Sequence, residues 1–182
     1  LDALVELAPA PGPKPAMQRE IEPTEEKFTG VVFKIQANMD PAHRDRVAFV
    51  RVCSGRFERG MALKLSRTGK DVKTSNAVSF LSQRREILED AYPGDIIGLP
   101  NRGVLQLGDT LTEGEMLQFT GLPFFAPEIF HTVEVADPIR NKQLRTGLQQ
   151  LGEEGAIQVF RPAQGGPLLL GAVGPLQLDV VA

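Results

Sequence analysis

Short apolar runs alternate with turn residues throughout residues 28–115 of the chain. Each run is rich in β-branched or aromatic residues. The runs recur roughly every 8–12 residues, which is the spacing of strands in a small β-barrel or sandwich. The runs are FTGVVFKIQ, VAFVRVCSG, MALKLSR, AVSFLSQ and DIIGLPN, and the turn segments around them are SG, RG, TGKD, PGD, NRG and LGD. The pattern predicts a β-barrel domain over residues 28–115.

The run VAFVRVC predicts a strand that is covered on both sides. Alternate residues of a strand point to opposite faces, and both sets of residues in this run are largely apolar. Cys53 lies in the run and is predicted to be a small core residue, because no CxxC pair or basic partner favours a reactive thiol.

The pattern changes after residue 116. Residues 116–126 read as a connection, and HTVEVA predicts a strand. Asp137 and Pro138 form an N-cap followed by Pro at the first helical position, and Gly155 is a natural helix stop. Leucines recur between them at i, i+4 and i+7 on one helical face. They are Leu144, Leu148 and Leu151.

Two strands, AIQVFRP and LLLGAV, and a second helix, GPLQLDVVA, complete a β-α-β-β-α order. This order is one strand short of the ferredoxin-like β-α-β-β-α-β sandwich. We therefore expect residues 127–182 to be a partial α+β domain. Its open sheet edge is expected to favour self-association.

The first 27 residues are expected to lie outside the barrel. Residues 1–8 are predicted to be the last turns of a helix, and the proline- and glutamate-rich residues 9–27 read as an interdomain linker. The start LDALVELAPAPGPKPAM has no initiator Met and no basic region before its apolar part, so it does not resemble a signal peptide. We expect the sequence to begin inside a longer chain.

Composition favours a cytoplasmic globular protein. Of 182 residues, 42% are hydrophobic and 24% are charged, which suits a buried core with a soluble surface. A single cysteine excludes an internal disulfide framework and suits a reducing compartment. No apolar run approaches the ~20 residues of a membrane helix, so no membrane partner is expected.

Charge is distributed in two blocks. Residues 34–85 hold twelve Lys or Arg and four Asp or Glu, a net charge of +8, whereas residues 86–115 have a net charge of −6. The basic block favours a polyanionic partner such as RNA. Alternatively, the strands fold the two blocks against each other and the charges neutralise.

No motif for catalysis or metal binding is present in the sequence. The stretch RTGKD contains the Gly-Lys pair of a phosphate loop, but Lys64 and Asp71 stand where that motif needs Gly and Ser or Thr. His43 and His131 lack a metal-ligand spacing. We expect no catalytic residue, no metal and no cofactor in this chain.

Two longer stretches resemble the second domain of translational GTPases. They are FTGVVFKIQANMDPAHRDRVAFVRVCSGRFERG and AYPGDIIGLPNRGVLQLGDTL. Within that superfamily, QANMDPAHRDR, AYPGDIIGL and KQLRTGLQQLGEEGAIQVFRP with LLLGAVGPLQLDVVA are most similar to the release factor 3 family.

The resemblance implies a parent GTPase that promotes release and recycling of codon-reading release factors from the ribosome. GTP or GDP with Mg²⁺ would bind in an upstream domain, of which residues 1–8 would be the tail. This chain would dock on small-subunit RNA and protein near the factor-binding centre and would couple domain orientation to that contact. The codon-reading factors would be indirect partners, and DNA would not be a partner.

The candidate site residues are basic side chains and hinge prolines. Arg side chains present a planar donor fork suited to phosphate, so the ribosome-facing candidates lie in the basic block. They are His43, Arg44, Arg46, Arg56, Arg59 and Lys64. Hinge candidates in the linker and connection are Pro23, Pro123 and Pro127. The alternatives are a solvated loop for residues 36–46 and passive spacers for the prolines.

Two other functions stay open at this point. One is an elongation or ribosome-protection type factor of the same superfamily, against which the AHRDR insertion argues. The other is a stand-alone RNA-binding barrel, against which the abrupt termini argue.

Overall fold

The computed structural model describes residues 3, 7–37, 46–81, 84–122, 125–135 and 137–181. The chain divides into two compact units. The first unit comprises residues 1–33, 48–100 and 108–122, and the second comprises residues 34–47, 101–107 and 123–182.

The described residues between 14 and 112 form twelve short strands. They are β1 (Lys14–Pro15), β2 (Glu20–Ile21), β3 (Thr29–Ala37), β4 (Arg46–Ser54), β5 (Phe57–Glu58), β6 (Leu63–Leu65), β7 (Lys70–Val72), β8 (Val78–Leu81), β9 (Arg84–Ile87), β10 (Asp90–Ala91), β11 (Ile96–Asn101) and β12 (Thr110–Thr112). Eight of them form one sheet in the order β7-β6-β12-β3-β4-β11-β8-β9. The pairs β1-β2 and β5-β10 form separate two-stranded ribbons. The prediction of a mainly β first half is confirmed.

The core of the first unit comes from the alternating positions of these strands. Phe28 and Phe57 are fully buried and meet edge to face, with ring centroids 5.8 Å apart. Along β4, buried residues lie on both faces: Cys53 is buried on one face, and Ala48, Val50 and Val52 are buried on the other. The prediction that this strand is enclosed and that Cys53 is a core residue is confirmed.

The segment that composition assigned to a linker is packed over part of its length. The paired strands β1 and β2 lie at the two ends of residues 14–21. Ile21 is fully buried in a cluster with Cys53, Leu117 and Phe119. Proline and glutamate content does not reveal this, because a single apolar anchor between polar residues has no periodicity.

The second unit contains a three-stranded sheet with two helices. Its elements are β13 (Ile129–Val133), a 3₁₀ turn (Pro138–Arg140), α1 (Asn141–Glu153), β14 (Gln158–Phe160), β15 (Leu168–Ala172) and α2 (Pro175–Val181). The sheet order is β13-β15-β14, with both pairs antiparallel. The predicted β-α-β-β-α order is confirmed, although the first strand begins two residues before the predicted HTVEVA and ends at Val133.

The predicted N-cap and the predicted stop of the helical region are both present in the structure. The Asp137 carboxylate accepts a hydrogen bond from the Ile139 N–H at 3.0 Å, and Gly155 ends the helical region at a φ of +76°. The leucine stripe of α1 packs with Ile157 and Leu170 in the core of this unit. On the other face of the sheet, Phe130 and Phe160 pack against each other with centroids 5.7 Å apart.

Among the residues that the structure describes, no helix combines the length and the apolar character needed to cross a membrane.

Candidate functional site

The charged segment of residues 36–46 is described only at its ends. His43 and Arg44 lie outside the described residues. Arg46 opens β4, and its mostly buried guanidinium forms an ion pair with Glu153, the last residue of α1. Glu153 is half-buried against Arg46.

Arg56 is held by acidic residues and by the tyrosine ring. Its Nη2 donates to Asp90 Oδ2 at 2.8 Å, and its Nη1 lies 3.2 Å from Glu58 Oε1. The guanidinium carbon is 5.7 Å from the ring centroid of Tyr92, within range of a cation–π contact. The hydrogen bond with Asp90 is the main cause that raises the pKa of Arg56 above its ordinary value.

Arg59 is fixed at two points. Its Nη1 donates to Glu89 Oε1 at 2.9 Å, and its Nε donates to the Ser75 carbonyl at 2.9 Å. The Arg59 side chain is 39% exposed, and the Glu89 side chain is 73% exposed. The guanidinium is therefore oriented by the fold and still reaches solvent.

Lys64 lies in a hairpin with the near-match to a phosphate loop. Lys64 on β6 is opposite Asp71 on β7, with Nζ 3.7 Å from Oδ1. In the turn, the N–H groups of Thr68 and Gly69 donate to the Leu65 carbonyl at 3.1 and 2.7 Å. These N–H groups are used within the hairpin.

An ion pair that sequence reasoning missed joins the two charge blocks deeper in the first unit. Arg67 donates from Nε and Nη2 to the two carboxylate oxygens of Asp109, at 2.7 and 3.1 Å. The Asp109 side chain is only 4% exposed. The partners are 42 positions apart, and no local pattern in the sequence connects them.

The fold therefore brings the basic block against the acidic block at three arginines. Arg56, Arg59 and Arg67 each bond to an acid from residues 86–115. For these residues the geometry agrees with the alternative in which the blocks neutralise each other. Lys70 and Lys73 remain exposed on and beside the edge strand β7, where lysines also block unwanted strand pairing.

The hinge candidates lie in different surroundings. Pro23 is in the turn that follows the buried Ile21. Pro127 packs on the sheet of the second unit, because a Cβ added at Gly171 would come 2.8 Å from its Cβ. Pro123 lies outside the described residues.

His131 lies exposed on β13. The described part of the chain contains no group of three His, Cys, Asp or Glu side chains arranged to hold a metal ion.

Comparison with known families gives two adjoining matches. A family model described as elongation factor G domain 2 matches residues 27–114. A second, described as class II release factor RF3, C-terminal domain, matches residues 119–182.

Similar proteins align with this chain over its whole length. It is 75% identical over 183 aligned residues to peptide chain release factor 3 of Bordetella pertussis and 75% identical over 181 to that of Nitrosomonas europaea. Each alignment covers 100% of this chain and 34% of the relative. A crystal structure of a Thermus thermophilus protein is similar with a TM-score of 0.72 and 25% identity, covering 88% of this chain and 25% of that one.

Proposed function

Over the region that it covers, this chain belongs to the family of peptide chain release factor 3, and on that premise we propose that it supplies the docking and orientation-coupling domains of a translation-termination GTPase. The observation that carries the proposal is the whole-chain identity of 75% to proteins of that name. The parent would promote release and recycling of the codon-reading release factors from the ribosome.

The chain spans 34% of the length of these relatives, so the activity of the whole protein is part of the proposal. GTP or GDP with Mg²⁺ would be bound by a part of the relatives that this chain does not cover. The role of the present residues would be to bind and to orient. Such a protein would work in the cytoplasm.

The contact with the ribosome would be electrostatic. His43 and Arg44 would contribute from the basic loop, and Arg56, Arg59 and Lys64 would contribute from the first unit. Arg59 supports this role, because its bond to the Ser75 carbonyl orients the guanidinium of a side chain that still reaches solvent. An arginine that is already oriented loses less side-chain entropy when it binds a phosphate.

The ion pairs of the first unit offer a test, because substituting the basic and the acidic partners should change ribosome binding in opposite directions. Replacing Arg56 and Arg59 by Gln should weaken binding of the chain to purified small ribosomal subunits. The slope of log affinity against log salt should fall by about one for each phosphate contact that is lost. Replacing Glu89 by Gln and Asp90 by Asn removes one acidic partner from each of the two arginines and should strengthen binding.

The acidic substitutions are the matched control for fold stability, because they break the same ion pairs. If both sets weaken binding equally, the arginines serve the fold and the contact lies elsewhere. A reconstituted termination reaction tests the step itself. An excess of the chain should compete with full-length release factor 3 and slow the recycling of the codon-reading factors, whereas no effect on that step would count against the proposal.

The elongation or ribosome-protection alternative and the stand-alone RNA-binding barrel are not favoured, because residues 119–182 match the release-factor domain. Self-association is a further proposal. In the described part of the sheet, β13 pairs on one side with β15, and an open strand edge can accept a strand from another copy.

A further inference from the structure

Residues 14–27, here called the strap, are bonded to residues 115–120 of the first unit. The Met17 N–H donates to the Gln118 carbonyl at 2.8 Å, and the Thr120 N–H donates to the Pro15 carbonyl at 3.0 Å. An isolated β-bridge joins Ala16 to Phe119. Backbone hydrogen bonds therefore join the strap to a part of the chain that is distant in sequence.

A charged clasp holds the strap at Arg19. The guanidinium donates to both carboxylate oxygens of Glu115, each at 2.9 Å, and to both oxygens of Glu25, at 2.7 and 2.8 Å. Bidentate arginine–carboxylate pairs are the geometrically specific form of an ion pair. The hydrogen bonds from Arg19 are the main cause that lowers the pKa of both glutamates.

An apolar anchor lies beside the clasp. Ile21 is fully buried against Cys53, Leu117 and Phe119, and Ala16 packs on the same cluster. Two of these residues belong to the strap and three to the body of the unit. Opening the strap would therefore uncover Cys53.

We propose that the strap opens and closes on the first unit as a piece, with Arg19 as its clasp and Ile21 as its anchor, and that it sets the reach of the chain that precedes it. When the strap is closed, backbone pairing holds the chain from Lys14 onward, and Pro11 lies against Gly94 just before it. The next point of attachment is Phe28, whose N–H donates to Glu113 Oε2 at 2.6 Å. Opening frees residues 14–27, which at full extension add about 46–50 Å of reach.

The opening of the strap concerns only contacts within the first unit, whereas its effect on a preceding domain rests on the proposed function. It also moves the point of interdomain motion. While the strap is closed, Pro23 is held between the anchor and Phe28, and any motion of a preceding domain would occur before Pro11, which lies against Gly94.

The only cysteine of the chain serves as the reporter. Cys53 is 4% exposed, and burial raises the pKa of its thiol to about 11. A thiol reagent such as Ellman's reagent can then react only when the cluster opens. The labelling rate of the folded chain measures how often the strap is open.

The test is a charge permutation. Arg19→Glu and Glu115→Arg should each raise the labelling rate of Cys53 by at least about fivefold, because each places like charges together in the clasp. The double variant again has one arginine between two glutamates and should return to within about twofold of the original rate. Arg140→Glu makes the same charge change at an exposed arginine of the second unit and should leave the rate unchanged.

Amide exchange gives a second readout that does not depend on the thiol. The N–H groups of Met17 and Thr120 should lose protection in each single variant and regain it in the double variant. If neither single variant accelerates labelling, or if the double variant does not restore it, the clasp does not control the strap. If all amides of the first unit lose protection equally, Cys53 is exposed by global unfolding and the proposal is overturned.

Discussion

Gly55 is the position where a single methyl group should damage the first unit most. It follows β4 at a φ of +64°, and a Cβ built there would lie 2.5 Å from both the carbonyl carbon of Lys27 and the nitrogen of Phe28. Gly60 has a φ of +84°, yet nothing lies within 4 Å of its Cβ position. The pair separates the effect of backbone conformation from the effect of close approach.

The magnitudes follow from these surroundings. A left-handed backbone costs a non-glycine residue about 1–2 kcal/mol, and this is the whole effect expected for Gly60→Ala. For Gly55→Ala, overlap with fixed backbone adds about 1–3 kcal/mol. Moving Lys27 also strains the 2.9 Å hydrogen bond that its carbonyl accepts from the Ser54 hydroxyl, which adds about 1 kcal/mol. Gly55→Ala should therefore cost about 3–6 kcal/mol in the free energy of unfolding.

Urea unfolding followed by tyrosine fluorescence measures the difference. Tyr92 is the only tyrosine and the chain has no tryptophan, so this signal reports on the first unit. Both variants should keep the slope of free energy against urea, and Gly55→Ala should have the lower midpoint. If the two variants differ by less than about 1 kcal/mol, the close approach at Gly55 does not contribute as argued.

Two further predictions concern the ion pairs of the first unit. Arg67→Met removes two hydrogen bonds from the buried Asp109 carboxylate and should cost about 1–3 kcal/mol in urea unfolding, whereas Arg67→Met with Asp109→Leu should cost less; equal losses would contradict the argument. Because hydrogen bonds from Arg19 lower the pKa of Glu25 and Glu115 below the ordinary value of 4.5, their contribution is complete above that value and is lost as the pH falls through the folded pKa. Labelling of the thiol by a dithiodipyridine, which reacts in acid, should accelerate over that range, and a rate that stays flat would refute the role of the carboxylates.

Local patterns determined the elements of this protein. The glycine- and proline-marked turns and the alternation of residues 28–115 predicted strands, because a strand face is set by a period of two along the chain. Asp137 and Gly155 bounded the helical region, because caps satisfy backbone groups within one turn. The motifs of residues 36–46 and 91–99, with residues 142–162 and 168–182, carried the resemblance to the family.

Sheet order decided the partners of the candidate residues. Arg59 meets Glu89 from 30 positions away and Arg67 meets Asp109 from 42, so part of the basic block that predicted a polyanion surface is paired within the fold. Arg19 meets Glu115 from 96 positions away and turns a segment with linker composition into a bonded strap. Composition and periodicity describe each residue with its chain neighbours. Ion pairs and buried anchors depend on which strands lie side by side, and only the tertiary structure determines that.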